Sequence, residues 1–224
     1  MKKSFLTFLL VALLAPLCLT SCSEDDNEVE EFPNWRQTNE EQLAALYERA
    51  QGVTDGSWKV IKNYTLESAV TGTAANSIVV EVLQAGTGSG SPMFSDSVKI
   101  NYRGRLLPST SYPDGYVFDE SYTGDYNPAT ANPVTMYVGE LVDGFATALQ
   151  NMRIGDHWRV YMPYQLGYGV NGTSSGIPGY STLVFDIALV AYYRAGTPLH
   201  VYSCSVSRIP KGCILPCKMV HFDR

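Results

Sequence analysis

The sequence predicts an α+β domain in which an antiparallel sheet packs on one short central helix. Short runs of alternating apolar and polar residues recur between Trp58 and Tyr193, separated by turns rich in Gly, Ser and Pro. This pattern is typical of antiparallel strands with one buried face. Within this region, only residues 143–152 have helical spacing. A chain of 224 residues can hold one such domain with appendages at both ends.

The composition excludes several classes of function. Hydrophobic residues make up 45% of the chain and charged residues 17%, as in folded proteins. The formal net charge of −6 leaves no basic field for nucleic acid, so we expect no nucleic-acid partner. No GxSxG, HExxH, Walker or GxGxxG pattern occurs in a supporting context, and we expect neither a cofactor nor a catalytic metal. His157, on the polar side of its strand, is interpreted as a solvated residue rather than a base.

The first residues are predicted to be an export signal. Two lysines precede an apolar run over residues 5–19 that is short for a membrane span. The run ends in Leu19-Thr20-Ser21-Cys22, which resembles the lipobox of bacterial lipoproteins. This resemblance implies cleavage before Cys22 and acylation of Cys22, so the membrane becomes a partner through an N-terminal lipid anchor. The implied location is an outer membrane lipoprotein of a Gram-negative bacterium, facing the periplasm or the cell surface. The alternative is an ordinary signal peptide with a chance cysteine.

An acidic block follows Cys22 within residues 24–31. Like charges repel, so residues 22–37 are predicted to form a solvated, extended tether. A second interpretation is a sorting address, because acidic residues just after the lipidated cysteine resemble a surface-export signal of some Gram-negative lineages. The sequence leaves both open.

A short amphipathic helix is predicted after the tether. Thr38 and Glu41 have the spacing of a capping box, and Gly52 provides a stop. The apolar residues of one helical face are Leu43, Leu46, Tyr47 and Ala50. Because such a short helix must pack on something, we expect it to dock on its own domain. Dimerisation through this helix is the alternative.

Strands and one core helix are predicted in a fixed order. The strand segments are residues 58–62, 77–83, 98–103, 117–119, 134–138, 157–162 and 182–193. Gly86 to Pro92 forms a turn. The core helix is predicted to be capped by Asp143, with Phe145, Leu149 and Met152 on one side.

Five sequence blocks follow one another between Ile78 and Tyr193. They are Ile100-Asn101-Tyr102-Arg103-Gly104, Val117-Phe118-Asp119-Glu120-Ser121, Val138 to Phe145, Gly167-Tyr168-Gly169, and Ile177-Pro178 with Thr182 to Ile187. In type and order these blocks resemble the FKBP family of peptidyl-prolyl cis/trans isomerases. The resemblance implies an FKBP-like antiparallel sheet wrapped on the central helix. It also implies isomerase activity on X-Pro bonds of exported proteins.

The same resemblance implies an apolar pocket for proline. Its catalytic residues would be Tyr102, Phe118, Asp119, Tyr168 and Phe185, and its substrate-binding residues Leu141, Val142, Phe145 and Ile177. Asp119 is the one carboxylate at the rim, where it would polarise the substrate or hold neighbouring side chains. The Tyr168 hydroxyl and the Val142 backbone are the implied hydrogen-bonding partners of a bound peptide.

An apolar site suits this reaction. Rotation about a peptide C–N bond costs about 18–20 kcal/mol because amide resonance must be broken. A catalyst therefore needs no nucleophile, but must bind the twisted amide better than the planar forms. The twisted carbonyl has less charge separation, so a dry apolar pocket favours it. The implied partners are proline-containing polypeptides. The alternative function is a non-catalytic surface lipoprotein that binds proline-containing peptides or partner proteins.

Three features depart from the family pattern. Phe145 stands where the family usually has tryptophan at the pocket floor, and Val134 where an aromatic residue is usual. The segment 107–133 is longer than in compact members and rich in Tyr and Pro, which fits either a lid or a surface elaboration.

The C-terminal tail does not continue the family pattern. It holds Cys204, Cys213, Cys217 and His221, which in principle suit zinc, or a disulfide with a spare thiol. A poorly ordered extension is favoured. The predicted organisation is a lipoprotein signal peptide (1–21), an acidic tether (22–37), a helix with its extension (38–76), the isomerase domain (77–195) and the tail (196–224).

Overall fold

The computed structural model describes residues 30–196. The predicted signal peptide, Cys22, the first half of the acidic tether and the cysteine-containing tail lie outside the described residues. The chain divides into two compact units, residues 1–31 and 32–224, and every element described below belongs to the second. No helix within the described range is long and apolar enough to cross a membrane.

Two α-helices and seven strands form the described fold. The helices are α1 (Trp35–Gly52) and α2 (Asp143–Asn151). The strands are β1 (Trp58–Lys62), β2 (Ser77–Gln84), β3 (Ser97–Leu106), β4 (Val117–Glu120), β5 (Val134–Tyr137), β6 (His157–Met162) and β7 (Leu183–Tyr193). Short 3₁₀ turns occupy Val138–Glu140 and Tyr164–Leu166.

The strands form one antiparallel sheet in the order β1-β2-β6-β7-β3-β4, and β5 also pairs with β3. The predicted α+β architecture, an antiparallel sheet on one short helix with an N-terminal helix, is therefore confirmed. Val138, predicted to end a strand, instead begins a 3₁₀ turn.

The inner face of the sheet packs against α2. Trp158, Val160 and Met162 alternate inward along β6 and are fully buried, as the period of two predicts. The sequence prediction of Asp143 as N-cap was wrong, because Val142 is the N-cap and Asp143 is the first helical residue. Its carboxylate in the first turn still complements the positive end of the helix dipole.

The outer face of the sheet is covered at one end by α1. Leu43, Tyr47 and Ala50 are buried against Trp58 and Val79, which confirms docking on the chain's own domain. Burial of these side chains removes apolar surface from water and so holds the helix in place.

The start of α1 differs from the sequence prediction. Thr38 is not the N-cap, because α1 already begins at Trp35 and the Thr38 N–H donates to the Asn34 carbonyl. Glu41 accepts a hydrogen bond from Gln37 instead of closing a capping box. The additional first turn buries Trp35 against the main core, a tertiary gain that outweighs the local capping signal.

Part of the Tyr- and Pro-rich insert covers the other end of the outer face. The Tyr126 ring lies 4.7 Å from the His157 ring, and the Arg103 guanidinium lies 4.7 Å from the Tyr122 ring. Both His157 and Arg103 alternate with inward-facing neighbours, so these contacts are on the side of the sheet opposite α2. Residues 122–126 are thus a cover of the outer face rather than a lid over α2.

Candidate functional site

Four aromatic rings meet between the inner face of the sheet and α2. The Phe185 ring from β7 is central, with centroids 5.0 Å from Phe145, 5.4 Å from Phe118 and 6.4 Å from Tyr102. The pairs with Phe145 and Phe118 are edge-to-face, at 80° and 83°. This geometry places a positive ring edge on a negative ring face and stabilises the cluster beyond its burial. We call these four residues the aromatic cluster.

Gly104 allows the rings to approach each other. A Cβ at this position would lie 2.5 Å from Phe185 Cε1 and 2.7 Å from two atoms of the Phe118 ring. All three contacts are far shorter than van der Waals separation, so any side chain here would push the rings apart. The glycine of the Tyr-x-Gly pattern therefore has a local physical reason in this chain.

A polar pair stands at the border of the aromatic cluster. The buried Tyr102 hydroxyl donates a hydrogen bond of 2.7 Å to Oδ2 of the exposed Asp119. Burial raises the pKa of Tyr102 above its usual value, and the bond to Asp119 raises it further. The tyrosine therefore stays protonated and keeps donating to the carboxylate.

Ser121 ties the two strands that carry this pair. The Tyr102 N–H donates to Ser121 Oγ at 2.9 Å, and the Ser121 N–H donates to the Tyr102 carbonyl at 2.9 Å. These bonds fix the end of β4 beside β3, so the positions of Phe118 and Asp119 follow from backbone pairing.

Three of the remaining predicted pocket residues border the same core, and Tyr168 is more exposed. Ile177 is 5% exposed within it, and Leu141 and Val142 are partly buried against it. Tyr168 is 40% exposed, and its pKa is raised by burial and by the charge of Asp119. The Val142 carbonyl accepts the Ala146 N–H.

The structure therefore brings seven of the nine predicted pocket residues to one core or its edge. Asp119 joins them through its hydrogen bond with Tyr102, and Tyr168 is near enough to feel the charge of Asp119. Cys22, the predicted lipidation site, lies outside the described residues.

Sequence reasoning missed an ion-pair network on the outer face. Asp186 of β7 accepts hydrogen bonds from Arg159 Nε at 2.7 Å and from Arg105 Nη2 at 2.9 Å. The hydrogen bond to Asp186 raises the pKa of Arg159 above its usual value. An acid within an apolar strand must find partners when it is buried, and this rule was the available signal.

His157 is not the freely solvated residue that the sequence predicted. It is half-buried beneath the Tyr126 ring, and burial lowers the pKa of its imidazole. The alternation of β6 was interpreted correctly, but the cover from residues 122–126 comes from a distant part of the chain. Across residues 30–196, no cluster of three or more His, Cys, Asp or Glu side chains could hold a metal ion.

Comparison with known proteins gives consistent matches. Residues 88–190 match the family model described as FKBP-type peptidyl-prolyl cis-trans isomerase. The macrophage infectivity potentiator of Trypanosoma cruzi is 37% identical over 119 residues, which are 53% of this chain and 55% of that protein. The peptidyl-prolyl cis-trans isomerase Mip of Coxiella burnetii is 36% identical over 119 residues, which are 53% of this chain and 46% of that protein.

A solved structure, FkpA from Escherichia coli, aligns with a TM-score of 0.48 at 27% identity, covering 73% of this chain and 63% of that one. The chain spans about half the length of the two curated relatives named above.

Proposed function

Because residues 88–190 form a domain of the FKBP-type peptidyl-prolyl cis-trans isomerase family, we propose that this protein catalyses rotation about X-Pro bonds in exported polypeptides. The observation that carries the proposal is the aromatic cluster, in which Phe185 contacts Tyr102, Phe118 and Phe145 beside one hydrogen-bonded carboxylate. Such a site offers apolar contact to a proline ring and almost no competing charge.

In the proposed mechanism, the proline ring rests on the aromatic cluster, with Leu141, Val142 and Ile177 completing the apolar wall. The apolar surroundings favour the twisted amide, whose carbonyl carries less charge than the planar form. The Val142 N–H and the Tyr168 hydroxyl donate hydrogen bonds to the flanking peptide backbone. These bonds hold the chain in place while the C–N bond rotates.

Asp119 acts without transferring a proton. Its carboxylate is held by the Tyr102 hydroxyl, so it presents a fixed negative charge at the edge of the apolar site. A fixed charge of this kind favours one orientation of the amide dipole. We therefore assign Asp119 an electrostatic role and Tyr102 the role of holding it.

The proposed location follows from the first residues of the sequence. Cleavage before Cys22 and acylation of Cys22 would anchor the domain to the outer membrane, with residues 22–34, which precede α1, as the tether. The proposed organisation adds α1 with its extension (35–76), the isomerase domain (77–195) and a tail (196–224).

The function is tested by following cis/trans exchange in short X-Pro peptides with the full-length protein. We expect faster exchange than in buffer, with an apolar residue favoured before proline. The control is Phe118→Ala, which removes the partly exposed ring of the aromatic cluster and should lower the rate. Unchanged exchange at high protein concentration would contradict catalysis, and peptide binding without turnover would identify a binding protein instead.

A further inference from the structure

The first half of α1 contacts the loop that carries Tyr168 and Ile177. We call residues 167–181, which lead into β7, the pocket loop. The Arg36 guanidinium lies 4.8 Å from the Tyr180 ring centroid. The same tyrosine meets the Tyr164 ring edge-on at 5.0 Å, and Tyr164 donates a hydrogen bond to Glu40 of α1. One helix thus contacts the end of the pocket loop and the turn just before it.

A chain of two hydrogen bonds links α1 to the pocket wall. Trp35 Nε1 donates to Ser181 Oγ at 2.8 Å, and Ser181 Oγ donates to the Pro178 carbonyl at 2.7 Å. Pro178 follows Ile177, the buried residue of the proposed proline site. The Ser181 hydroxyl therefore has both its acceptor and its donor role fixed, one by α1 and one by the pocket loop.

A second link fixes the base of the pocket loop. Asn39 is fully buried, its Oδ1 accepts the Thr182 N–H at 2.6 Å, and its Nδ2 donates to the Trp35 carbonyl at 2.7 Å. Thr182 immediately precedes β7, the strand that carries Phe185. The helix thus joins the base of the loop to the strand at the centre of the aromatic cluster.

The pocket loop is closed on itself. The Tyr180 N–H donates to the Gly169 carbonyl at 3.0 Å, and the Thr173 N–H donates to the Ile177 carbonyl at 2.9 Å. Gly179 lies directly against the Val170 carbonyl, with no space for a Cβ between them. These contacts hold the loop in one conformation. Its attachment at Ser181 and Thr182, together with the bonds to the turn before Gly167, therefore positions Tyr168 and Ile177.

Tyr180 has a backbone conformation that its surroundings must hold. Its φ of 62° lies in the left-handed region, which residues other than glycine rarely adopt. Such a conformation persists when the surroundings determine it, here through Arg36, Tyr164 and the Gly169 carbonyl.

We propose that Trp35 is a positioning residue for the isomerase, which acts through Ser181 to hold the pocket loop in the binding conformation. This inference rests on the proposed function. It gives α1, which lies outside residues 88–190, a role in the geometry of the active site. Substrate binding then depends on a hydrogen bond between residues 146 positions apart.

The test compares Trp35→Phe with Trp58→Phe in the full-length protein. Both tryptophans are 9% exposed, and Trp58 packs against the second half of α1, away from the pocket loop. The two replacements remove the same volume, but only Trp35→Phe removes the bond to Ser181. Hydrogen exchange of the Thr173 and Tyr180 amides reports the loop, and separate kcat and KM values for an X-Pro peptide report the site.

We expect faster exchange of both amides and a KM raised about fivefold in Trp35→Phe, the factor that one lost hydrogen bond carries. The kcat should stay nearly unchanged, because the aromatic cluster is intact. Ser181→Ala removes this bond together with the bond to Pro178, so the double variant should have a KM close to that of Ser181→Ala alone. Trp58→Phe should leave KM and loop exchange as in the wild type.

Two results would overturn the inference. The first is that the Thr173 and Tyr180 amides exchange at the same rate in Trp35→Phe and Ser181→Ala as in Trp58→Phe, whatever the activity of these variants. The other is faster loop exchange with an unchanged KM in an active enzyme. Absence of wild-type turnover is a separate outcome that rejects the isomerase function, and with it the role of Trp35 in catalysis.

Discussion

The Tyr102 hydroxyl and Asp119 Oδ2 are 2.7 Å apart and form the one described hydrogen bond between an aromatic-cluster ring and a carboxylate. Tyr102 faces inward from β3, whereas Asp119 is exposed on β4. The bond therefore spans the border between the apolar site and solvent. It holds the negative charge of Asp119 at the edge of the apolar site while the carboxylate stays exposed to solvent.

Replacing Asp119 should weaken catalysis but not abolish it. Because bond rotation transfers no proton, Asp119→Ala should lower kcat/KM by a factor equivalent to about 1–3 kcal/mol, the value of one contact to a charged group. Peptide exchange kinetics measure this loss. Asp114→Ala, which removes another exposed acid between β3 and β4, should leave kcat/KM unchanged. Complete inactivity of a folded Asp119→Ala protein would show that the carboxylate does more than orient a dipole.

The floor of the aromatic cluster should be sensitive to the shape of Phe145. Phe145→Leu keeps the site apolar but removes edge-to-face contacts with Phe185 and Tyr102, each worth about 0.5–1.5 kcal/mol. We expect a lower free energy of unfolding and a lower kcat/KM. The matched control is Phe94→Leu, whose ring is 44% exposed and lies outside the cluster. Equal effects of both replacements on kcat/KM would contradict the assignment of Phe145 to the site.

The ion pairs of Asp186 should contribute to stability rather than to chemistry. Asp186→Asn leaves Arg159 and Arg105 without their carboxylate, and breaking a buried pair costs about 3–5 kcal/mol. We expect the lower end of this range, because Arg159 keeps some contact with solvent. Urea unfolding measures the change. Glu81→Gln, which removes a partner 3.8 Å from Arg159, should cost less than about 1 kcal/mol.

Stability should fall in mild acid because of His157. Its pKa is lowered by burial, Asp186 raises it in part, and Arg159 lowers it further. The unfolded imidazole binds a proton near pH 6.5, about its usual pKa, whereas the folded one does so only at lower pH. As the pH falls below about 6.5, the unfolded state binds more protons than the folded state, so the free energy of unfolding decreases. Above it, both states are neutral and this loss is absent.

The measurement is the free energy of unfolding between about pH 7.5 and 5.5, the range in which histidine titrates. His157→Gln should show a shallower decline than the wild type. Tyr126→Ala should do the same, because it uncovers the imidazole. Three parallel curves would mean that His157 does not control the decline.

Membrane attachment should depend on Cys22. Cys22→Ser should leave the protein unacylated and mislocalised, which palmitate labelling and cell fractionation measure. Replacing Glu24, Asp25 and Asp26 with alanine tests the surface address separately through protease digestion of intact cells. Labelling of Cys22→Ser as strong as in the wild type would contradict the anchor, and equal digestion of the acidic variant and the wild type would leave the acids as a tether only.

The sequence by itself determined the features that depend on short, repeating residue patterns. Alternation along β3, β6 and β7 predicted which residues face inward, and helical spacing predicted α2, because both patterns follow from backbone geometry. The family blocks added the aromatic cluster, since they carry Tyr102, Phe118, Phe145 and Phe185 in order.

Only the tertiary structure decided what depends on distant partners. Local capping chemistry placed the start of α1 at Thr38, but the bond from Trp35 to Ser181 and the burial of Trp35 extend the helix by a turn. Asp186 meets Arg159 across 27 positions, and Tyr126 covers His157 from a separate loop. Such contacts form only when folding brings remote side chains together. The free energy gained by burying or pairing these side chains exceeds the local conformational preferences that the sequence shows.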